Sequence, residues 1–253
     1  MTRPTLSQWL ASEPFALAMS SGFFGFFAHC GVLAALEQEG LTPSAVSGSS
    51  AGALVTGAWA SGLDAHALAD ALTSLRREDF WDVAPGFGLL RGALFRNKLE
   101  ALLPVPSFAR CRVPLTLSVF DVRTRSTHVL HDGLLAPAIH ASCALPLLFQ
   151  PVKYQGSYLL DGGVLDRAGL QGLTDHPRVL HHHLSSRSAW RRPNSPALIP
   201  PQREGLVALV IDGLERSGPF RLANGARILE SAQRAAERAL RSPVRDGLVR
   251  LSA

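Results

Sequence analysis

Gly48-Ser49-Ser50-Ala51-Gly52 fits G-x-S-x-G, the pattern that makes a serine a nucleophile when the chain turns sharply from strand to helix. Residues 45–48 read as a short buried strand, and residues 51–61 as an Ala- and Leu-rich helix stopped by Gly62. The two flanking glycines, Gly48 and Gly52, let such a turn close without crowding Ser50. A helix N-terminus behind the serine favours negative charge. A plain Gly/Ser-rich turn is the competing reading, and on this motif alone both stay open.

A serine nucleophile needs a base and a site for the oxyanion. The loop Ser20-Ser21-Gly22-Phe23-Phe24-Gly25 also lies between an expected strand (15–20) and helix (26–39), where outward amides would stabilise a tetrahedral intermediate. A dinucleotide loop does not fit, because Ser20 stands where the first glycine of G-x-G-x-x-G belongs and no acid ends a second strand. G-K-[ST] is missing as well. Among the nine histidines, His181-His182-His183 sit on an expected strand with His181 and His183 on one face. Two ligands do not make a metal site, and a polar strand surface is the expectation. His29 reads as a core histidine, and His140 stays ambiguous. Asp161-Gly162-Gly163 follows an apolar strand (157–160), so Asp161 is either a base at a strand end or an ordinary turn residue; alone, the turn reading is preferred.

The elements that must position these residues are apolar. Charged residues are 18% of the 253, and three stretches, 14–36, 41–63 and 133–152, carry no Asp, Glu, Lys or Arg. Each approaches the ~20 residues of a membrane span. Glycines and serines break the first two and prolines the third, so they read as the buried centre of a soluble fold. Strand–helix–strand–helix within the first 62 residues predicts a parallel sheet. Further helices are expected over 64–77, 97–103, 136–144 and 220–241. Strands are expected over 115–121, 127–131, 152–154, 178–184 and 206–211. Residues 80–96 and 185–202 read as loops, the second as a candidate for disorder. One domain over 1–253 is expected, with a variable part after about 165. The net charge is +5 and almost wholly arginine, with no basic run interleaved with aromatics, so nucleic acid is not an expected partner. Cys30, Cys111 and Cys143 form no C-x-x-C and read as small buried hydrophobes. No secretory leader is legible, and a cytoplasmic protein is the expectation.

The loop, G-x-S-x-G and D-G-G, in that order, resemble the patatin-like lipid acyl hydrolases. The helix segment from His29 to Leu36, the elbow from Val46 to Leu54, Phe120 to Thr124, and the block from Ala141 to Val152 leading to Asp161-Gly162-Gly163 are similar to that family's blocks. The likeness covers roughly residues 15–165. It implies an α/β, three-layer patatin-like fold with a mostly parallel sheet and helices on both faces. It also implies a Ser50–Asp161 dyad without histidine, oxyanion amides at Gly22, Phe23 and Phe24, and no metal or organic cofactor. The substrate expected is an acyl ester of a phospholipid, lysophospholipid or other lipid, with any membrane contact peripheral. A non-catalytic lipid-binding scaffold and a soluble esterase or thioesterase are the alternatives. The loop departs from the family in lacking a glycine run followed by Arg or Lys, and Asp166-Arg167 stand where Asn is common. Phe23, Phe24, Phe26 and Phe27 are expected to divide between core and acyl groove. Asp is a weak base at its reference pKa of about 3.9; apolar surroundings are what raise such a value.

Overall fold

The two uncharged N-terminal stretches fold as successive β–α units, because apolar strands with no polar face must be covered on both sides. A computed structural model describes residues 3–185 and 195–253. In chain order the elements are α1 (Leu6–Ser12), β1 (Ala16–Met19), α2 (Phe26–Gln38), β2 (Ala45–Ser49), α3 (Ala51–Ala60), α4 (Ala65–Thr73), α5 (Ala93–Leu102) and β3 (Leu115–Asp121). They continue with β4 (Ser126–Leu130), α6 (Leu135–Ser142), β5 (Val152–Tyr154), β6 (Ser157–Asp161), β7 (Val179–His183), β8 (Leu206–Asp212), α7 (Gly225–Leu240) and β9 (Leu248–Ser252).

One nine-stranded sheet runs β5-β6-β3-β2-β1-β7-β8-β9, with β4 also paired to β3. Its centre is parallel from β3 to β9, and β4, β5 and β6 add antiparallel pairs. Side chains alternate across it. Leu17, Met19, Leu180 and Leu209 join the large core, into which the seven α-helices among the described residues bury their apolar residues. Ala16, Ala18, Ala45, Val179 and Ala208 face the other way into a smaller core with Leu173. Small side chains there admit a close-lying backbone: Ser47 donates to the Gly169 carbonyl at 2.7 Å. So helical segments cover the two faces unequally. The α-helices lie on one, and short 3-10 turns such as Gly162–Val164 and Gln171–Leu173 lie on the other. The protein is a mixed α/β structure on a mostly parallel sheet. Among the described residues no helix is long and apolar enough to cross a membrane.

Several expectations need correction. Residues 93–96 are not loop but the first turn of α5, which starts from Gly92 at φ +81°. The helix expected over 64–77 stops at Thr73, and that over 220–241 starts at Gly225. Neither α1, held by a Thr5–Gln8 capping box, nor the edge strand β9 was foreseen. The three histidines of β7 are not on a polar surface; all are buried. Of the expected loop at 185–202, residues 186–194 lie outside the described residues.

Candidate active site

Ser50 sits between the last residue of β2 and the first of α3 with φ +55° and ψ −116°. That backbone is strained for any residue with a Cβ, and here it aims the side chain away from the sheet. The glycines on either side are required by space. A Cβ on Gly48 would lie 2.4 Å from the Gly52 carbonyl carbon, and one on Gly52 only 2.0 Å from the Met19 oxygen. The elbow is also tied from the side. The Ser50 N–H donates to Ser142 Oγ at 2.9 Å, and that hydroxyl donates to the Ser118 carbonyl at 2.7 Å.

Sheet register brings the other group alongside. Ser118 pairs with Ser49 of β2, and the next residue, Val119, pairs with Asp161 of β6. Residues 117–118 also pair with β4, as do residues 119–121. A strand has two edges, so β2 and β6 share the edge of β3 opposite β4, and their ends meet. Ser50 Oγ donates to Asp161 Oδ2 at 2.6 Å. Asp161 is buried, and its Oδ1 accepts the Gly163 N–H at 2.7 Å, which fixes the carboxylate plane.

The third element arrives through Gly163, where a Cβ would strike Ser21 Oγ at 2.2 Å. Ser21 donates its N–H to the Arg167 carbonyl at 2.7 Å, so the loop at 20–25 rests on the segment after the D-G-G. The turn closes by Gly25 N–H to Gly22 O at 2.9 Å, with Phe24 at φ +55°. The amides of Gly22, Phe23 and Phe24 have no hydrogen-bond partner among the described residues. All three residues line the same cavity of about 740 Å³ as Ser50 and Asp161. Leu54, Phe80, Phe95 and Phe149 form its apolar walls, and Arg167 and Arg216 also line it. The phenylalanines of the loop divide as expected. Phe23, Phe24 and Phe26 line the cavity, whereas Phe27 is fully buried against Gly225 of α7.

Behind the loop, His29 Nε2 lies 2.7 Å from the Ser20 carbonyl and His29 Nδ1 lies 2.8 Å from His182 Nδ1. A carbonyl only accepts, so Nε2 of His29 carries the hydrogen. Neutral His29 then accepts at Nδ1, and His182 donates from its own Nδ1. Burial holds His29 down to about 4 and His182 well below the usual histidine range, in keeping with a neutral pair. His29 is thus a hydrogen-bonded core residue. His140 is wedged between Phe95 and Phe149, and neither ring nitrogen has a partner among the described residues. The thiols of Cys30 and Cys111 are pushed up to about 12 and about 11 by burial, and Cys143 is also raised, by burial and then by the Asp161 charge. None is a thiolate nucleophile at neutral pH.

Ser142 and Ser118 were not singled out in the sequence, and Asp166 was marked only as a departure from the family, with no role given to it. Asp166 accepts from Ser118 Oγ at 2.6 Å and from the amides of Gly169, Leu170 and Gln171, building the turn that carries Arg167.

A parallel-sheet α/β protein with a serine elbow against a buried aspartate defines the class. The family model for patatin-like phospholipase matches residues 17–173, more than half of the chain. The chain belongs to the patatin-like phospholipase family. An uncharacterized NTE family protein of Mycobacterium tuberculosis is 32% identical over 159 residues, 62% of this chain and 44% of that protein. A lysophospholipase NTE1 of the yeast Scheffersomyces stipitis is 27% identical over 64% of this chain and 11% of its own length. The chain therefore matches less than half of either relative. VipD from Legionella pneumophila shares the fold at a TM-score of 0.63 and 14% identity, over 90% of this chain and 67% of that one.

Proposed function

We propose that the chain hydrolyses acyl esters of lipids, phospholipid or lysophospholipid, through a Ser50–Asp161 dyad. The observation that carries this is the 2.6 Å hydrogen bond from Ser50 Oγ to Asp161 Oδ2 inside an apolar cavity. Family membership supports the lipid substrate, as do cavity walls suited to an acyl chain and, at Arg216, a cation suited to a phosphate.

The chemistry needs two half-reactions. Ser50 Oγ attacks the ester carbonyl carbon as its proton passes to Asp161 Oδ2. The carbonyl oxygen becomes an oxyanion held by amides among Gly22, Phe23 and Phe24. When the tetrahedral adduct collapses, the C–O bond to the alcohol breaks and Asp161 returns its proton to the leaving oxygen. Water then attacks the acyl-serine, giving one proton to Asp161. The second collapse releases the fatty acid, and that proton returns to Ser50 Oγ. Gly163 keeps Asp161 in one orientation through both halves. One nine-stranded sheet spanning both ends of the chain supports treating residues 1–253 as one folding unit.

The test uses a short p-nitrophenyl ester and phospholipid vesicles. Wild type should hydrolyse both and be labelled at Ser50 by a fluorophosphonate. Ser50→Ala and Asp161→Asn should each lose at least about a thousandfold in kcat/KM. Activity surviving both substitutions would overturn the dyad. Wild type inert toward every ester would favour a lipid-binding scaffold.

A further inference from the structure

We infer that the rim of the cavity is a membrane-docking surface, with an anionic lipid bilayer as its occupant. This rests on the lipid-hydrolase reading in one respect, that the substrate enters the cavity from a lipid phase.

Single exposed apolar side chains are ordinary, but a cluster round one opening is not. Phe23, Leu147 and Val164 line the cavity and are also exposed, at 46%, 78% and 36%. They mark its mouth. Two larger projections are built onto that mouth. Residues 83 and 90 are bridged, and the turn between them carries Phe87, which is 89% exposed. Leu89 of this turn donates its N–H to the Leu147 carbonyl at 3.0 Å, so Phe87 and Leu147 belong to one ridge. The second is Phe220, 71% exposed, which sets its ring edge-on to Trp81 at 5.6 Å, and Trp81 lines the cavity.

At Leu147 the backbone places the side chain outward against its own preference. Leu147 holds φ +68°, a left-handed conformation that costs free energy for any residue with a Cβ. The strain yields an exposed leucine at the mouth rather than a buried one. Water is a poor partner for such a rim, whereas the acyl region of a bilayer accepts it.

Charge selects the occupant. Arg77, which also lies 3.8 Å from Glu78, stacks over the Phe220 ring at 5.3 Å, and Arg216 lines the cavity. Among the described residues Arg216 makes no ion pair, while neighbouring Glu215 is paired with Arg227 at 2.9 Å. Phenylalanines flanked by arginines match an interface of acyl chains beneath anionic headgroups. The net charge of +5 acts in the same direction.

The experiment uses Ser50→Ala chain, so that vesicles are not consumed, in sedimentation with vesicles of phosphatidylcholine alone and of phosphatidylcholine with 30% phosphatidylglycerol. Binding should be stronger to the anionic vesicles and weaken with salt. Phe87→Ser and Phe220→Ser, neither of which lines the cavity, should each lower partition about tenfold. In the Ser50 background kcat/KM for a soluble p-nitrophenyl ester should be unchanged, which shows that the variants fold. Sedimentation of the double variant equal to the parent, or no sedimentation of the parent with either vesicle, would overturn the proposal. So would a concentration-dependent dimer that the double variant abolishes, since a second copy would then cover the rim. Vesicle binding lost in the variants while wild type hydrolyses no ester would uphold the docking surface and defeat only the hydrolase reading.

Discussion

At the scale of single residues, Ser142 holds the backbone of Ser50, the proposed nucleophile. It accepts from the Ser50 N–H, donates to the Ser118 carbonyl, and is fully buried without lining the cavity. Ser142→Ala removes the acceptor of the Ser50 N–H and a donor to the Ser118 carbonyl inside a buried site. The expected cost is about 1–3 kcal/mol of unfolding free energy, measured in urea. The elbow also loosens, so kcat for a short ester should fall about tenfold with KM little changed. An unchanged kcat would reduce Ser142 to a packing residue. This division marks what was legible in the sequence. Ser50 and Asp161 could be picked out because glycines flank them in local sequence, although each motif alone left a turn reading open and only the family resemblance joined the two. Ser142 and Asp166 do not, because their partners lie 92 and 48 residues away and nothing local distinguishes a bonded serine or aspartate from an idle one. The loop at 20–25, the candidate for the oxyanion amides, stands between: that it joins a strand to a helix was legible, but the left-handed Phe24 was not, since glycine is the residue that usually supplies that freedom.

At the scale of elements, the site depends on how closely α3 approaches β1. Gly52 is the contact, with space for no Cβ against the Met19 oxygen. The obstacle is backbone in a central strand, which cannot rotate away. Gly52→Ala should therefore cost more than about 3 kcal/mol or yield insoluble chain, compared by thermal melts. Gly40→Ala, where nothing lies within 4 Å, pays only for its φ of +66° and should cost about 1 kcal/mol. A Gly52→Ala chain that melts with the parent would show that α3 shifts freely. The β–α units that make this contact were legible because they are long, apolar and ended by glycines. The start of α5 was not, because its N-cap is a left-handed glycine and Leu99 is its only buried residue. Nor was β9, whose alternation is half exposed at the sheet edge. The unequal covering of the two sheet faces was hidden as well. It follows from which alternate positions of β1, β2 and β8 are alanine, and the register needed to see this is set by pairing between distant segments.

At the scale of the whole molecule, the chain folds five histidines into apolar surroundings. Burial holds His29, His140 and His183 down to about 4, and His181 and His182 well below the usual histidine range. In the unfolded chain each titrates near 6.5. Above that value both states carry these rings neutral, and stability does not depend on them. As pH falls from about 6.5 toward 4, the unfolded chain takes up protons that the folded chain refuses, so folding stability drops. Below the folded values the dependence from these groups ends. Each such ring contributes about 1.4 kcal/mol per pH unit inside the window. Geometry gives the same sign for His29, since a second proton on its ring would set two N–H groups face to face at 2.8 Å. The thermal midpoint should therefore be flat from pH 8 to 7 and fall steeply from pH 6.5 to 5, before most carboxylates titrate. His140 offers the sharpest check, because its ring nitrogens have no partner to lose. His140→Leu should flatten the acid slope by about one ring's share and raise the midpoint at pH 5 relative to the parent, with little change at pH 8. Equal midpoints at pH 7 and 5 in the parent would mean that these rings take up protons in the folded chain as they do in the unfolded one. A His140→Leu slope equal to the parent's would remove that residue from the set.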